Sequence, residues 1–300
     1  MYGAIRSYFA EQNVLEVDTP ILSRAATVDP NIDSFGASGD TWLQTSPEFP
    51  MKRLVAGGSG AIYQIARVFR FEEAGRLHNP EFTLLEWYRP GWNYRDLMRE
   101  VERVLCVAGS FGKSFESITY REAFLLHAGV DPFVSSNEVL EQACIAALGP
   151  LPEPPEPSAT ARRDFLLDLL MSAVVGPRLG ADVPQFLFDF PASQAALARV
   201  RPGPPAIAER FELFWRGIEL ANGFSELIDA DEQRRRFELD RMRRSERGQH
   251  APPYDAHLIE ALTAGMPACA GVAIGLDRLL MLMLELPHIG DALAFDFERA

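Results

Sequence analysis

The sequence FRFE at Phe69–Glu72 and the sequence HNPEFTLLEWY at His78–Tyr88 flank a short charged loop. In both arms the side-chain types alternate with a period of two residues, which is typical of strands rather than helices. The pattern therefore predicts a β-hairpin whose first arm covers residues 61–71. Arg70 then lies at the end of that arm beside the turn, and Glu86 and Tyr88 share one face of the second arm.

An arginine, carboxylates and a tyrosine on one hairpin indicate a site that binds an anion next to an ammonium group. The planar guanidinium fork suits a carboxylate or a phosphate, and buried glutamates need a cation or several donors to stay charged. An amino acid together with ATP satisfies both requirements. The alternative is a surface hairpin with scattered ion pairs, each contributing about 0–1 kcal/mol and carrying no function.

A second motif lies near the carboxyl end, where Gly271–Leu279 has two glycines on a strand that runs into an apolar helix. A third consists of a helix at Gly3–Phe9 followed by Val14–Leu22. A lone glycine-rich strand is weak evidence. In chain order, however, the N-terminal segment, the hairpin and the glycine-rich strand resemble the three motifs of class II aminoacyl-tRNA synthetases. The resemblance implies an α+β fold, with a mostly antiparallel sheet flanked by helices.

Three further segments resemble the lysyl branch of that class: Thr45–Glu48, His78–Thr83 and Gly217–Leu227. Nearly end to end, the chain resembles the elongation factor P lysine ligase family. These are stand-alone paralogues of lysyl-tRNA synthetase that attach (R)-β-lysine to a lysine side chain of elongation factor P. The resemblance implies ATP and Mg²⁺ as cofactors, elongation factor P as acceptor, (R)-β-lysine or lysine as substrate, and a homodimer.

The resemblance also assigns roles to individual residues, with Arg70 and Arg278 as the catalytic pair. It assigns ATP binding to Arg70, Phe71, Glu72, Asn79, Glu219, Leu220, Gly275 and Arg278. It assigns amino-acid binding to Ser46, Pro47, Glu48, Glu86, Tyr88, Asn222, Glu226 and Ala273. Phe71 stands where the family usually has asparagine, so the pattern keeps only a backbone contact to ATP there.

Ala273 stands where lysyl-tRNA synthetases usually have glycine, as in the elongation factor P ligases. One methyl group in a tight pocket shifts discrimination between amino acids by about 1–3 kcal/mol. Strand packing is an equal alternative explanation for this residue.

A metal site is predicted on the hairpin that contains Glu212 and Glu219. If Arg216-Gly217 is a two-residue turn, residue 214 faces 219 and residue 212 faces 221, which makes the two carboxylates diagonal neighbours on one face. Mg²⁺ bridging ATP phosphates suits them, because it takes one or two carboxylates plus phosphate oxygens. The alternative is a pair of exposed acids on an edge strand.

Composition restricts the class of function. The chain has 300 residues, 47% hydrophobic content and a formal net charge of -13. The apolar content is ample for a sizeable core. The acidic balance argues against a broad tRNA-binding surface, since phosphate neutralisation needs a basic footprint. Arg234–Arg236 and Arg241–Arg247 are the candidates for a local basic patch, and an ion-paired, solvated helix face is the favoured alternative.

We expect one catalytic domain over residues 1–300, with a mainly helical insertion at about 111–185 and no anticodon-binding domain, hence no full tRNA recognition. Two alternatives stay open, a minimal tRNA-charging enzyme and a non-catalytic amino-acid sensor.

The cysteines and lysines are sparse. The three cysteines, Cys106, Cys144 and Cys269, show neither metal-ligand nor disulfide spacing, which is typical of a cytoplasmic protein, and no segment is long and apolar enough to span a membrane. Lys52 and Lys113, the only lysines, are interpreted as surface charges.

Overall fold

The computed structural model describes residues 1–71, 73–109, 114–153 and 158–300. In these ranges the α-helices are Tyr2–Glu11 (α1), Glu48–Ala56 (α2), Tyr94–Ala108 (α3), Tyr120–Ala128 (α4), Asn137–Leu148 (α5), Ala159–Leu170 (α6), Ala230–Glu246 (α7), Ala256–Ala264 (α8) and Leu276–Met283 (α9). The strands are Leu15–Glu16 (β1), Leu22–Ser23 (β2), Gly36–Ala37 (β3), Thr41–Leu43 (β4), Ile62–Phe69 (β5), Glu81–Pro90 (β6), Glu116–Thr119 (β7), Gln185–Pro191 (β8), Val200–Arg201 (β9), Ile207–Trp215 (β10), Ile218–Ser225 (β11) and Cys269–Gly275 (β12). Within each unit described below, most strand pairs are antiparallel, and the predicted α+β class is confirmed.

The chain forms two compact units. The first unit comprises Met1–Asn93, Arg103–Ser110 and Ile228–Ala300, and the second comprises Tyr94–Glu102 and Phe111–Leu227. Helix α3 therefore contributes residues to both. The division of the chain into one catalytic domain with an insertion at about 111–185 stays a prediction.

The first unit is built on the predicted hairpin. Strands β5 and β12 both pair antiparallel with β6, and β1 pairs parallel with β5. Strand β6 is buried over most of its length, because it lies between two neighbours and is covered on its faces. The ring of Phe9 on α1 stacks on Tyr63 with centroids 4.4 Å apart, and Trp87 is fully buried beside it.

Helix α9 begins directly after β12, as the glycine-rich segment Gly271–Leu279 predicts. The buried Asp277 carboxylate accepts the backbone N–H of Thr83 at 2.7 Å, which ties the first turn of α9 to β6. Burial raises the pKa of Asp277, and the hydrogen bond from Thr83 opposes that shift. This contact fixes the backbone position of the neighbouring residue Arg278 at the beginning of α9.

In the second unit, β10 pairs antiparallel with β8, β9 and β11, and β7 pairs parallel with β8. Helices α4, α5 and α6 supply its apolar core, in which Ala123, Phe124 and Leu140 are fully buried. The helix-compatible spacing of Ala123, Leu126 and Leu140 predicts that all three are apolar-face positions, but Leu126 is 69% exposed. No helix among the described residues is both long and apolar enough to cross a membrane.

Candidate active site

Glu86 lies on strand β6 of the first unit and is only 2% exposed. It pairs with Gln64 on one side and with Ala273 on the other. The Ser46 hydroxyl donates to its Oε1 at 2.6 Å, and the Tyr88 hydroxyl donates to its Oε2 at 3.3 Å. The structure therefore brings three other predicted amino-acid-binding residues, Ser46, Tyr88 and Ala273, next to Glu86.

Burial, reinforced by the nearby Glu48 carboxylate, raises the pKa of Glu86 to about 8. Hydrogen bonds from Ser46 and Tyr88 and the charge of Arg70 act in the opposite direction. Glu86 thus holds a proton at neutral pH unless a cation comes close. An ammonium group of a substrate is a cation of the required kind.

Glu48 opens helix α2, with Pro47 at the N-cap, and its backbone N–H donates to Ser46 Oγ at 3.0 Å. The Nζ of Lys52 lies 2.5 Å from Glu48 Oε1, and Lys52 is only 1% exposed. The interpretation of Lys52 as a surface charge is wrong, because its position four residues after Glu48 puts both on the inner side of α2. Lys113 lies outside the described residues.

Arg70 lies at the end of the first hairpin arm, as predicted, and its side chain is 25% exposed. Its Nε donates to the Thr45 carbonyl at 3.4 Å, its Nη1 is 3.7 Å from Glu73 Oε1, and its Cζ is 5.1 Å from the centroid of Phe82. These contacts are long, and the guanidinium remains partly open to solvent. The group can therefore bind an additional anion at little cost.

Gly275 and Arg278 lie at the junction of β12 and α9. Arg278 Nε donates to the Leu77 carbonyl at 3.0 Å. A Cβ added at Gly275 would meet only the Cβ of Arg278, at 3.9 Å, which is an ordinary contact. Packing within the chain therefore does not require a glycine here, whereas a ligand lying against the backbone would require one.

Phe71 and Asn79, two of the predicted ATP contacts, have partners within the chain. The Phe71 N–H donates to the Asp33 carbonyl at 2.8 Å, and its half-exposed ring packs edge-on against Phe35. Asn79 Nδ2 donates to the Glu81 carbonyl at 2.7 Å, and Asn79 Oδ1 accepts the N–H of residue 297 at 3.0 Å. Their roles towards ATP stay predictions. Glu72 lies outside the described residues.

The predicted metal hairpin of the second unit has the predicted turn. Arg216 and Gly217 both have positive φ, and Phe214 pairs with Glu219. The predicted pairing of 212 with 221 is wrong, because a bulge in β11 makes Glu212 face Asn222 instead. Leu220 is the additional residue of this bulge, as two residues of β11 oppose a single step of β10.

Glu212 is 7% exposed, so it is not the exposed acid of the alternative interpretation. Burial raises its pKa, Arg210 opposes the shift through its charge and a 2.5 Å hydrogen bond, and the charge of Glu219 raises it again. The described residues contain no cluster of three or more potential metal ligands. Two carboxylates suit Mg²⁺ only when phosphate oxygens and water complete its coordination.

The other predicted residues of the second unit lie on or just after β11. Leu220 and Glu226 are buried, at 3% and 2% exposure. Asn222 Oδ1 accepts the Nε–H of Arg210 at 3.2 Å. Sequence reasoning missed Arg210, although its position two residues before Glu212 on a predicted strand places both side chains on one face.

Arg234, Arg235 and Arg236 of α7 form ion pairs, as the favoured interpretation of this segment predicts. Arg234 pairs with Asp231 at 2.7 Å, and Arg235 and Arg236 pair with Glu232 at 2.7 and 2.8 Å. Arg244 is buried and pairs with the Asp33 carboxylate.

Comparison with known proteins bears on all of these residues at once. The family model for class II tRNA synthetases (D, K and N) matches residues 1–299. A protein of Vibrio atlanticus is 50% identical, with 99% of this chain and 93% of the relative covered. Relatives from Photobacterium profundum and Sodalis glossinidius are 48% and 45% identical, with 99% of this chain and 94% and 93% of the relatives covered. Each of the three bears the name elongation factor P–(R)-beta-lysine ligase.

Proposed function

Because this chain belongs to the class II tRNA synthetases and, within them, to the family of elongation factor P–(R)-β-lysine ligases, we propose that it is an ATP-dependent ligase that modifies elongation factor P. The observation that carries the proposal is identity of 45–50% over 99% of the chain to relatives with that name. The buried, protonated Glu86 supports it, because a diamine substrate supplies the cation that this carboxyl group lacks.

In the first step, a carboxylate oxygen of (R)-β-lysine or lysine attacks the α-phosphorus of ATP, the bond to the β-phosphate oxygen breaks, and pyrophosphate leaves. Arg70 is positioned to bind the phosphoryl oxygens, because its existing contacts are long and weak. Arg278 and Gly275 would bind the rest of the nucleotide, where the open backbone at Gly275 fits a ligand. Positioning and charge stabilisation carry this step.

In the amino-acid site, Glu86 and Glu48 would hold the substrate ammonium groups, with Ser46 and Tyr88 orienting the Glu86 carboxylate. Ala273, opposite Glu86 in the ladder, would limit the space beside the substrate. In the second unit, Asn222 and Glu226 are the residues that we propose to bind the amino-acid substrate.

Mg²⁺ would bind to Glu212 and Glu219 and, when bound, would neutralise charge on the phosphate oxygens. The acidic pair fits this ion, because burial and mutual repulsion both favour binding of a cation.

In the second step, the uncharged amine of a lysine side chain on elongation factor P attacks the carbonyl carbon of the adenylate. An amide bond forms, the bond to the phosphate oxygen breaks, AMP leaves, and the amine loses a proton to solvent. We propose that tRNA is not an acceptor, that the enzyme acts as a homodimer, and that the reaction takes place in the cytoplasm with the translation machinery.

The test is intact-mass analysis of purified elongation factor P after incubation with this protein, Mg-ATP and either α-lysine or (R)-β-lysine, with tRNA charging measured alongside. We expect a gain of one lysyl unit on the factor, faster with (R)-β-lysine, and none on tRNA. Charged tRNA with unmodified factor would instead support a tRNA-charging enzyme. No product with either acceptor would support an amino-acid sensor.

A matched pair of variants makes the test specific. Arg70→Met should reduce the rate of factor modification by about a hundredfold or more, as expected for loss of a group that stabilises transition-state charge. Arg67→Met removes an arginine from the same hairpin arm whose side chain is 52% exposed and 3.8 Å from Glu81, and its rate should stay near that of the wild type.

A further inference from the structure

We infer that Arg210 is a positioning residue that holds the proposed metal ligand Glu212 and the proposed substrate ligand Asn222 in one fixed arrangement. The inference rests on the proposed function for what these two residues bind. It adds a residue that neither the sequence motifs nor the names of the relatives assign.

The guanidinium of Arg210 is held by four groups of the second unit. Its Nη2 donates to Glu212 Oε1 at 2.5 Å, its Nε donates to Asn222 Oδ1 at 3.2 Å, and its Nη1 donates to the Gln194 carbonyl at 2.9 Å. Its Cζ lies 4.5 Å from the centroid of the Phe190 ring. The side chain is only 16% exposed. All three nitrogens of one planar group are thus used, on three different acceptors.

This arrangement depends on the shape of arginine as well as on its charge. A guanidinium presents donors in a rigid fork and stacks on an aromatic face, whereas an ammonium is a point charge on a flexible stem. A lysine at this position could pair with Glu212, but it could not hold Glu212 and Asn222 at a set separation. The bulge at Leu220 brings Asn222 opposite Glu212, where both fall within reach of the same fork.

Helix α6 holds the segment whose carbonyl accepts a hydrogen bond from Arg210. Gln194, whose carbonyl accepts from Arg210, donates through Nε2 to Asp168 Oδ1 at 2.8 Å. The neighbouring Ser193 hydroxyl donates to Asp164 Oδ1 at 2.6 Å. Two successive turns of α6 therefore fix the segment that receives Nη1 of Arg210. A fixed acceptor limits the rotation of the guanidinium, and with it the position of Glu212 Oε1.

A structural role alone predicts lower stability, whereas a positioning role predicts altered ligand binding in a folded protein. The test compares Arg210→Lys and Arg210→Met with Arg199→Met as the matched control. Arg199 also lies in the second unit and pairs at 2.5 Å with Glu209, the residue before Arg210, but its side chain is 48% exposed. A third variant, Phe190→Leu, removes the ring beneath the guanidinium and leaves its hydrogen-bond acceptors in place.

Two measurements separate the roles. The first is Mn²⁺ binding, followed by electron paramagnetic resonance in the presence of a non-hydrolysable ATP analogue. The second is lysine-dependent exchange of pyrophosphate into ATP, from which KM for the amino acid and kcat are obtained separately. We expect Arg210→Lys to weaken Mn²⁺ binding about tenfold and to raise KM at least tenfold, with a larger effect for Arg210→Met. Phe190→Leu should shift both quantities severalfold, and Arg199→Met neither.

Melting temperature is recorded for every variant. Wild-type Mn²⁺ affinity and KM in a folded Arg210→Lys protein would overturn the inference, as would losses that Arg199→Met reproduces. If the Arg210 variants do not fold, Phe190→Leu decides, because unchanged binding in that variant would also overturn it. Neither readout involves elongation factor P, so failure of the wild type to modify the factor would contradict the proposed function and leave this result standing.

Discussion

Glu86 and Glu48 are neighbouring carboxylates that have different partners. Glu48 is paired with the Lys52 ammonium at 2.5 Å, whereas Glu86 accepts hydrogen bonds from two hydroxyl groups. Hydroxyl groups stabilise a carboxylate less than a cation does. Glu86 is therefore the residue that stays protonated, and we expect it to lose its proton when a substrate ammonium group binds beside it.

This coupling predicts a pH dependence of substrate binding. Below its pKa of about 8, Glu86 must release a proton before it can pair with an ammonium group. Between pH 6 and 7.5 the lysine side chain stays charged, so KM for the amino acid should fall by up to tenfold per pH unit as the pH rises. Pyrophosphate exchange at a series of pH values measures this slope. Glu86→Gln should bind more weakly and abolish the slope, and a slope that persists in this variant would contradict the assignment.

The same ionisation predicts a pH dependence of stability, with the sign set by the raised pKa. Glu86 titrates near 4.5 in the unfolded chain and near 8 in the folded one, so the folded chain holds an additional proton between these values. Its contribution to stability is complete below pH 4.5 and is lost as the pH rises to 8. Urea unfolding should show wild-type stability falling relative to Glu86→Gln between pH 5 and 8. A constant difference between the two proteins would contradict the raised pKa.

The buried pair of Lys52 and Glu48 makes a prediction about stability. Removal of one partner of a buried ion pair leaves an uncompensated charge, which costs about 3–5 kcal/mol. Because the Glu48 side chain is 19% exposed, we expect Lys52→Met to lower the free energy of unfolding by about 2–4 kcal/mol. The double variant Lys52→Met with Glu48→Met should recover most of this loss, since replacement of both partners by apolar groups is often neutral. Chemical denaturation of the three proteins checks this, and equal losses in the single and double variants would refute it.

At the scale of secondary-structure elements, the geometry of the turn between β10 and β11 leads us to expect that substitution of its glycine lowers stability. Gly217 has a φ of 72°, and a Cβ there would lie 2.8 Å from the Pro177 carbonyl oxygen. Gly217→Ala should therefore lower the free energy of unfolding by about 2 kcal/mol or more, through strain and overpacking. Gly3→Ala is the matched control, because Gly3 lies in α1 with open space around it. That variant should be stabilised by about 0.5–1 kcal/mol. Thermal unfolding that ranks the two variants the other way would contradict the account of this turn.

The hairpins show which elements the sequence could predict. Alternation predicted β5 and β6, and the Arg216-Gly217 turn predicted the pairing of Phe214 with Glu219. These features follow from local chemistry. The bulge at Leu220 was not predictable, because nothing in the local pattern distinguishes an extra residue from a regular strand residue.

Partners distant in sequence account for the rest. The pairing of Arg210 with the carbonyl of Gln194 and the anchoring of Gln194 by Asp168 depend on the packing of α6, which no local pattern specifies. Lys52 was misinterpreted for a different reason. Lysine is rarely buried, so composition favours the surface, and only the packing of α2 shows that its inner face carries the ion pair with Glu48.

The charge of the whole molecule is the basis of the last prediction. The net charge is -13, and Arg234, Arg235 and Arg236, which could form a local basic patch on α7, are paired with acids on the same helix. Since affinity for nucleic acid derives largely from release of counterions by unpaired cations, we expect no tRNA binding tighter than about 10 µM at 150 mM salt. Fluorescence anisotropy with labelled tRNA, repeated over a series of salt concentrations, measures this affinity.

The matched variant for this experiment is Asp231→Asn combined with Glu232→Gln, which removes the acidic partners of Arg234 and Arg235 and one acidic partner of Arg236 on α7. If these ion pairs prevent the α7 arginines from binding phosphates, the variant should bind tRNA more tightly than the wild type, with a slope of log affinity against log salt close to that of about two phosphate contacts. Submicromolar binding by the wild type with a steep salt dependence would contradict the argument. It would show that the arginines exchange their carboxylate partners for phosphates, and it would restore tRNA as a candidate acceptor.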